Sequence, residues 1–165
     1  DGSYSNCPLA VSHGDFSPWN LIFDSRKAAA TVVDFDNVSI EPRVGDIAEA
    51  IITFFHTVYK GDTTNLQSFC DAVDKQNALS FMKAYSDIAG SLTASEQKCL
   101  APVGALKVVQ LYSLGRIRGD FPDPDTQGIQ RDIAMCYDHL ETLAPKFSKP
   151  LTHGGRSVNL IAPSP

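Results

Sequence analysis

Apolar residues change their spacing once along this chain. From Cys7 to Val33 they come in short runs separated by polar breaks; from Ile47 onward they recur at three- and four-residue steps. The first pattern predicts strands, the second helices with one buried face. Residues 7–12 read as a strand or the approach to one. Leu21-Ile22-Phe23 and the β-branched Thr31-Val32-Val33 flank the polar Asp24-Ser25-Arg26-Lys27 and predict a β-hairpin. Gly14, Ser17 and Pro18 mark residues 13–20 as a loop, and Pro42 and Gly45 give residues 36–45 the look of an irregular connection.

Ile47, Ala48, Ile51, Phe54, Phe55 and Val58 form the stripe of an amphipathic helix, with Asp46 at the N-cap position and Gly61 closing it. Leu66, Phe69, Cys70 and Val73 suggest a short helix. Leu79, Met82, Tyr85, Ile88 and Ala89 suggest another, ended by Gly90. Thr93-Ala94-Ser95-Glu96 has the form of a capping box, and Pro102 is expected to break or restart the helix it opens. Residues 103–117 predict a strongly apolar helix and residues 121–125 a rigid loop. Ile129, Ile133, Cys136, Tyr137, Leu140 and Leu143 predict a last helix stopping near Pro145. A small β element followed by four to six helices is an α+β pattern in which helix dominates. One domain is expected over residues 1–148, with a loosely held tail over 149–165.

Composition narrows the function classes. The 165 residues carry a net charge of −5, against the basic face of a nucleic-acid binder. No stretch approaches the roughly 18–20 apolar residues of a membrane span, and the polar start lacks the apolar core of a signal peptide. Cys7, Cys70, Cys99 and Cys136 form no C-x-x-C pair, so free thiols in a reducing, cytoplasmic setting are expected.

The chemistry concentrates in His13-Gly14-Asp15-Phe16-Ser17-Pro18-Trp19-Asn20 and, one hairpin later, in Asp34-Phe35-Asp36. Phosphoryl transfer from a nucleotide needs a base to orient the acceptor hydroxyl and oxygen ligands for Mg²⁺. Asp15 suits the base. Asn20 can offer its amide oxygen across the same loop, and Asp34, at the end of the second hairpin strand, can face that loop and hold the metal between phosphates. Gly45-Asp46-Ile47-Ala48 opens the first long helix. Each residue also has a plain structural reading. Asp15 and Asp34 could be turn residues, His13 a loop brace and Asp46 a cap. Trp19 reads as packing more readily than as a substrate floor. His56, His139 and His153 lack a partner pattern, and Arg116 and Arg118 suit a helix C-terminus.

These segments resemble the aminoglycoside phosphotransferase and choline kinase family, a distant relative of the protein kinases, whose catalytic loop reads H-R-D-x-x-x-x-N and whose metal aspartate lies in D-F-G. The Gly after His, and an acidic residue two places after Asp34, are similar to the small-molecule branch. The likeness runs from about residue 10 to residue 51 and thins toward residue 147. It implies the mostly helical C-terminal lobe of a protein-kinase-like fold, with the hairpin carrying the catalytic and metal-binding loops. It further implies Asp15 as base, His13 holding the loop, Asn20 and Asp34 binding Mg²⁺ with the nucleotide, Asp36 touching a second Mg²⁺ or only its neighbours, and Asp46 bracing the loop. ATP is the implied donor and the hydroxyl of a small molecule the acceptor. Aminoglycoside, choline, fructosamine and homoserine-like acceptors all remain open; Phe81 to Tyr85 and Leu92 to Glu96 look somewhat like homoserine-kinase members. Such kinases carry an N-terminal lobe with a glycine-rich loop and an ATP-anchoring Lys. No such segment precedes residue 7, so the expected partner is that lobe of the same parent protein, and the chain alone is expected to transfer phosphate poorly or not at all. A non-catalytic kinase-like binding module is the alternative. A metal-dependent hydrolase would need more histidines near the carboxylates.

Overall fold

The structure, a computed structural model, describes residues 4–24, 26, 29–54, 75–118 and 126–147. Among these, two antiparallel ladders precede four helices. The strands are β1 (Leu9–Ser12), β2 (Leu21–Asp24), β3 (Ala29–Val32) and β4 (Ser39–Pro42); the helices are α1 (Val44–Phe54), α2 (Lys75–Ala89), α3 (Ala94–Arg118) and α4 (Thr126–Leu143), followed by a 3₁₀ turn at Ala144–Phe147. The α+β expectation holds over this part of the chain. The expected helix over residues 66–73, the loop at 121–125 and the tail at 149–165 lie outside the described residues, as do Phe55, Val58 and Gly61.

β2 and β3 form the expected hairpin, with Leu21 opposite Val32 and Asp24 opposite Ala29. β4 corrects the sequence reading, since residues 36–45 are not merely an irregular connection. Ser39 pairs with Ser12 and Pro42 with Leu9. A four-residue strand ending in proline has too little alternation to announce itself, and its partner lies far upstream. The β1–β4 ladder closes the base of an excursion whose tip is the β2–β3 hairpin. Residues 13–20 and 33–37 therefore leave the same end of one ladder side by side.

Both faces of the β1–β4 ladder are unusual. Ser12 is buried, whereas Leu9, Val11 and Ile40 are 67%, 77% and 75% exposed. The small side chains face the body of the protein and the large apolar ones face outward, where nothing among the described residues covers them.

α1 departs from a one-sided stripe. Val44, Ile47, Ala48, Ile51 and Ile52 are buried, and so are Glu49, Ala50 and Thr53. A helix covered on every side is the centre of the structure rather than its skin. It packs on α3, which packs on α4. Ile51, Ile52, Met82, Leu100, Val108, Leu140 and Leu143 are among the largest fully buried side chains of the shared core. Gly104 lets α3 and α4 approach, because a Cβ there would overlap the Leu140 side chain and meet that of Ile52. α3 runs unbroken through Pro102, against expectation. Pro102 and Lys98 both lie on the exposed side of the helix, where water can serve the carbonyl that proline leaves without a donor.

The capping box forms as expected: the Thr93 N–H donates to Glu96 Oε2 at 2.7 Å and the Glu96 N–H to Thr93 Oγ1 at 3.2 Å. Glu96 also receives Arg43, with Nε at 2.6 Å from Oε1 and Nη2 at 3.2 Å from Oε2. The same guanidinium donates to the Ala89 and Ser91 carbonyls at 2.7 and 3.1 Å and lies over the Tyr85 ring. One buried carboxylate thus ties the start of α1 to the α2–α3 corner. Cys7, Cys99 and Cys136 are buried thiols that form no disulfide among the described residues. Burial pushes Cys7 and Cys136 up to about 12, which leaves them protonated and unreactive. No described helix is long and apolar enough to cross a membrane.

Candidate functional site

The loop between β1 and β2 is held from beneath by Asp46. Its two carboxylate oxygens accept the backbone N–H groups of His13 and Gly14 at 2.6 and 2.9 Å. Asp46 lies in the first turn of α1, which begins two residues earlier, so it is not the N-cap that its position suggested. Its carboxylate serves a distant loop instead, and the Ile47 N–H turns back to the Arg43 carbonyl at 3.2 Å. Charge-assisted bonds to two adjacent amides fix the Ser12–His13 peptide plane and, next to it, the His13–Gly14 plane that leads into Asp15.

Gly14 makes that plane possible. Its φ is +79°, and a Cβ there would fall well inside contact distance of the Asn37 carbonyl oxygen. Both the backbone angle and the space exclude a side chain. Gly14→Ala is therefore expected to cost at least about 1–3 kcal/mol of stability, read by urea titration, because it adds strain to a backbone clash. A Gly14→Ala protein as stable as the parent would show that the loop does not adopt this conformation.

Asn20 closes the other end of the loop. It is buried, and its Nδ2 donates to the Asp15 carbonyl at 2.8 Å, while the Ser17 N–H donates to the same oxygen at 3.0 Å. This orientation leaves Oδ1 as the acceptor side of the amide. Pairing of the hairpin continues past β2, since the Val33 N–H donates to the Asn20 carbonyl at 3.0 Å. The register accordingly sets Asn20 opposite the residue just before Asp34.

His13 makes the second link between the two segments. Its Nε2 lies 3.0 Å from the Val33 carbonyl oxygen. A carbonyl can only accept, so Nε2 carries the hydrogen. Its Nδ1 is buried without a hydrogen-bond partner among the described residues. The ring packs against Phe35 at 5.0 Å between centroids and, edge-on, against Phe16 at 6.1 Å; Phe16 in turn packs on Phe54 of α1 at 5.5 Å. His13 is thus a brace whose ring joins the H-G-D and D-F-D segments to the central helix.

Asp34 has φ +65°, the one non-glycine with positive φ among the described residues. Aspartate tolerates this region better than most residues, and strain of this kind gathers where a side chain must be aimed. Asp34 and Asp36 are exposed and Asp15 is half-buried. Trp19 is 58% exposed, so it is no core packing residue. No group of three or more His, Cys, Asp or Glu side chains among the described residues is arranged to hold a metal on its own.

Asp15 opens onto a cavity of about 440 Å³ whose wall includes Gly14, Asn37, Glu49, Lys107, Gln110 and Ser113. Lys107 Nζ lies 2.9 Å from Glu49 Oε2. Burial pushes the Glu49 carboxyl above the usual carboxylate range; Lys107 pulls it back in part, and the charges of Asp15 and Asp46 add to the rise. Glu49 and Lys107 escaped the sequence reading. They are 58 residues apart, and each resembles an ordinary helix-surface charge until the fold brings them together. The periodicity of α1 does carry one hint, a carboxylate one turn after Asp46 in a helix otherwise rich in Ile and Ala.

Residues 4–73 fit the family model APH, the phosphotransferase enzyme family. The match takes in the H-G-D loop, the hairpin, Asp34, Asp36 and Asp46 but spans less than half of the chain. No curated protein and no solved structure matches the chain.

Proposed function

We propose, from the phosphotransferase family match over residues 4–73, that this chain is the catalytic part of an ATP-dependent kinase acting on a hydroxyl of a small molecule. The observation that carries the proposal is the clamping of two segments into one unit. Asp46 holds the His13 and Gly14 amides, the Asn20 side chain holds the Asp15 carbonyl, and His13 holds the Val33 carbonyl beside Asp34. A loop fixed in this way presents a base and metal-binding oxygens without reorganisation during reaction.

In this reading Asp15 accepts the proton of the acceptor hydroxyl as the hydroxyl oxygen bonds to the γ-phosphorus of ATP and the bond from that phosphorus to the bridging oxygen breaks, releasing ADP. His13, Gly14 and Asp46 set the backbone from which Asp15 projects. Asn20 Oδ1 and the Asp34 carboxylate are hard oxygen donors of the type that Mg²⁺ prefers, with Asp36 available as a further contact. Two such side chains, rather than an all-protein cage, suit an ion that keeps water and phosphate oxygens in its shell. Bound there, Mg²⁺ would neutralise charge on the transferred phosphoryl group. The bare apolar face formed by Leu9, Val11 and Ile40 supports a protein-kinase-like arrangement in which an N-terminal, nucleotide-binding lobe of the same parent covers the small sheets.

The test is the Mg²⁺ dependence of nucleotide binding. Asp34→Asn keeps a side chain that tolerates positive φ and removes the charge. It is expected to raise the Mg²⁺ concentration needed for half-maximal ATP binding by about tenfold or more, measured by calorimetry on protein carrying both lobes. An unchanged Mg²⁺ requirement would take Asp34 out of the metal site and weaken the kinase reading.

A further inference from the structure

The Glu49–Lys107 pair sits where an acceptor would lie. The two side chains come from facing helices, α1 and α3, retain 9% and 19% exposure, and both line the cavity that contains Asp15, while Lys107 also borders a neighbouring cavity with Gly14, Asp46 and Lys98. A salt bridge covered on all sides could do no more than join the two helices. This one presents a carboxylate and an ammonium to whatever enters, together with the uncharged Asn37, Gln110 and Ser113.

We infer that Glu49 and Lys107 are specificity-determining residues that select an acceptor bearing both an ammonium and a carboxylate near its hydroxyl. The inference rests on the phosphotransfer reading only in placing the acceptor hydroxyl at Asp15. Its reasoning is one of charge exchange. A purely cationic acceptor that engages Glu49 draws it from Lys107 and leaves a largely covered ammonium without a counter-ion. A purely anionic acceptor that engages Lys107 strands Glu49 in the same way. Leaving one member of a covered ion pair uncompensated is strongly unfavourable. A zwitterion replaces both halves of the pair at once: its ammonium meets Glu49, its carboxylate meets Lys107, and every charge keeps a partner. The arrangement rejects singly charged compounds through the partner they strand as well as through the contact they lack. A cavity of about 440 Å³ accommodates an amino-acid-sized ligand of this kind with its hydroxyl at Asp15.

Three probes that share a hydroxyl separate the possibilities: L-homoserine, which carries both charges; 3-aminopropan-1-ol, which keeps only the ammonium; and 4-hydroxybutanoate, which keeps only the carboxylate. Binding to the purified chain is followed by calorimetry or by amide chemical shifts, so phosphate transfer is not needed for the readout. L-homoserine is expected to bind about ten- to a hundredfold more tightly than either partial analogue, the range set by one charge-assisted hydrogen bond. Lys107→Met should bring L-homoserine level with 3-aminopropan-1-ol, and Glu49→Gln should bring it level with 4-hydroxybutanoate. Equal affinity for the three compounds, or binding of none of them at millimolar concentration, would overturn the inference on the wild-type chain alone. Variants that melt earlier yet keep the wild-type ranking would reduce the pair to a helix clamp and overturn it as well. If the protein proved not to transfer phosphate, the ranking would still stand or fall on its own.

Discussion

Asp15→Asn is expected to lower phosphoryl-transfer turnover about 10²- to 10⁴-fold in protein that carries the nucleotide-binding lobe, the range a positioned general base supplies. Nucleotide affinity should change little. The geometry makes this a clean substitution. The Asp15 carbonyl is held by Asn20 and Ser17, and the two residues before it are held by Asp46, so the backbone does not depend on the Asp15 side chain. Asparagine keeps the shape and loses the ability to take a proton. The loss should therefore fall on kcat, with KM for nucleotide nearly unchanged, since the proposed nucleotide-side ligands Asn20 and Asp34 are intact. Steady-state kinetics on the variant, paired with nucleotide binding, distinguish the two readings. Turnover equal to that of the parent would remove Asp15 as base. A parent that binds Mg²⁺-nucleotide without any turnover would instead identify a kinase-like binding module.

What the sequence disclosed, and what it concealed, follows from how far apart the interacting residues are. The loop from His13 to Asn20 is local: its spacing, its Gly and its Pro are all visible within one short stretch, and Asn20 does reach back to the Asp15 carbonyl. The β2–β3 hairpin and the Thr93–Glu96 capping box are local in the same sense, and both form as expected. β4 was hidden because its partner is β1, beyond the whole hairpin. The burial of α1 on every face was hidden because periodicity reports one face, while the second cover comes from α3. Asp46 carried two readings, cap or brace, and only tertiary contact with His13 and Gly14 decides between them. Pro102 misled because a proline removes one donor and crowds one carbonyl without forbidding helix on either side, and here that carbonyl belongs to Lys98 on the exposed side, where water can serve it. Arg43–Glu96 and Glu49–Lys107 span 53 and 58 residues, and no local pattern announces either.

Glu96→Ala is expected to cost about 3–5 kcal/mol of unfolding free energy, the usual consequence of removing one partner of a buried ion pair. Glu96 is fully buried and performs two tasks at once: it meets Arg43 through both carboxylate oxygens, and it caps its own helix by accepting the Thr93 N–H. Its removal strands a half-buried guanidinium and an amide together. Glu96→Gln keeps the volume and a neutral acceptor, and should cost less. The pH dependence of stability provides an independent signature. Burial by itself would raise the Glu96 carboxyl, but the hydrogen bonds and charge of Arg43 and the bonds from Thr93 outweigh it, and the net shift is downward from 4.5. The folded state therefore binds this proton more weakly than the unfolded state. Its contribution is complete above the unfolded value and is lost as pH falls through the folded one. Glu49 works in the opposite sense. Its carboxyl is raised, chiefly by burial, so between 4.5 and its folded value stability increases as pH falls. Urea titrations across pH should accordingly show Glu96→Gln flattening the limb below about 4.5, and Glu49→Gln flattening the slope above it. An acid limb in Glu96→Gln as steep as in the parent would mean that the Arg43–Glu96 pair does not form in solution. The corner that fixes α1, and with it the Asp46 beneath the H-G-D loop, would then be held by packing and by the Arg43 bonds to the Ala89 and Ser91 carbonyls.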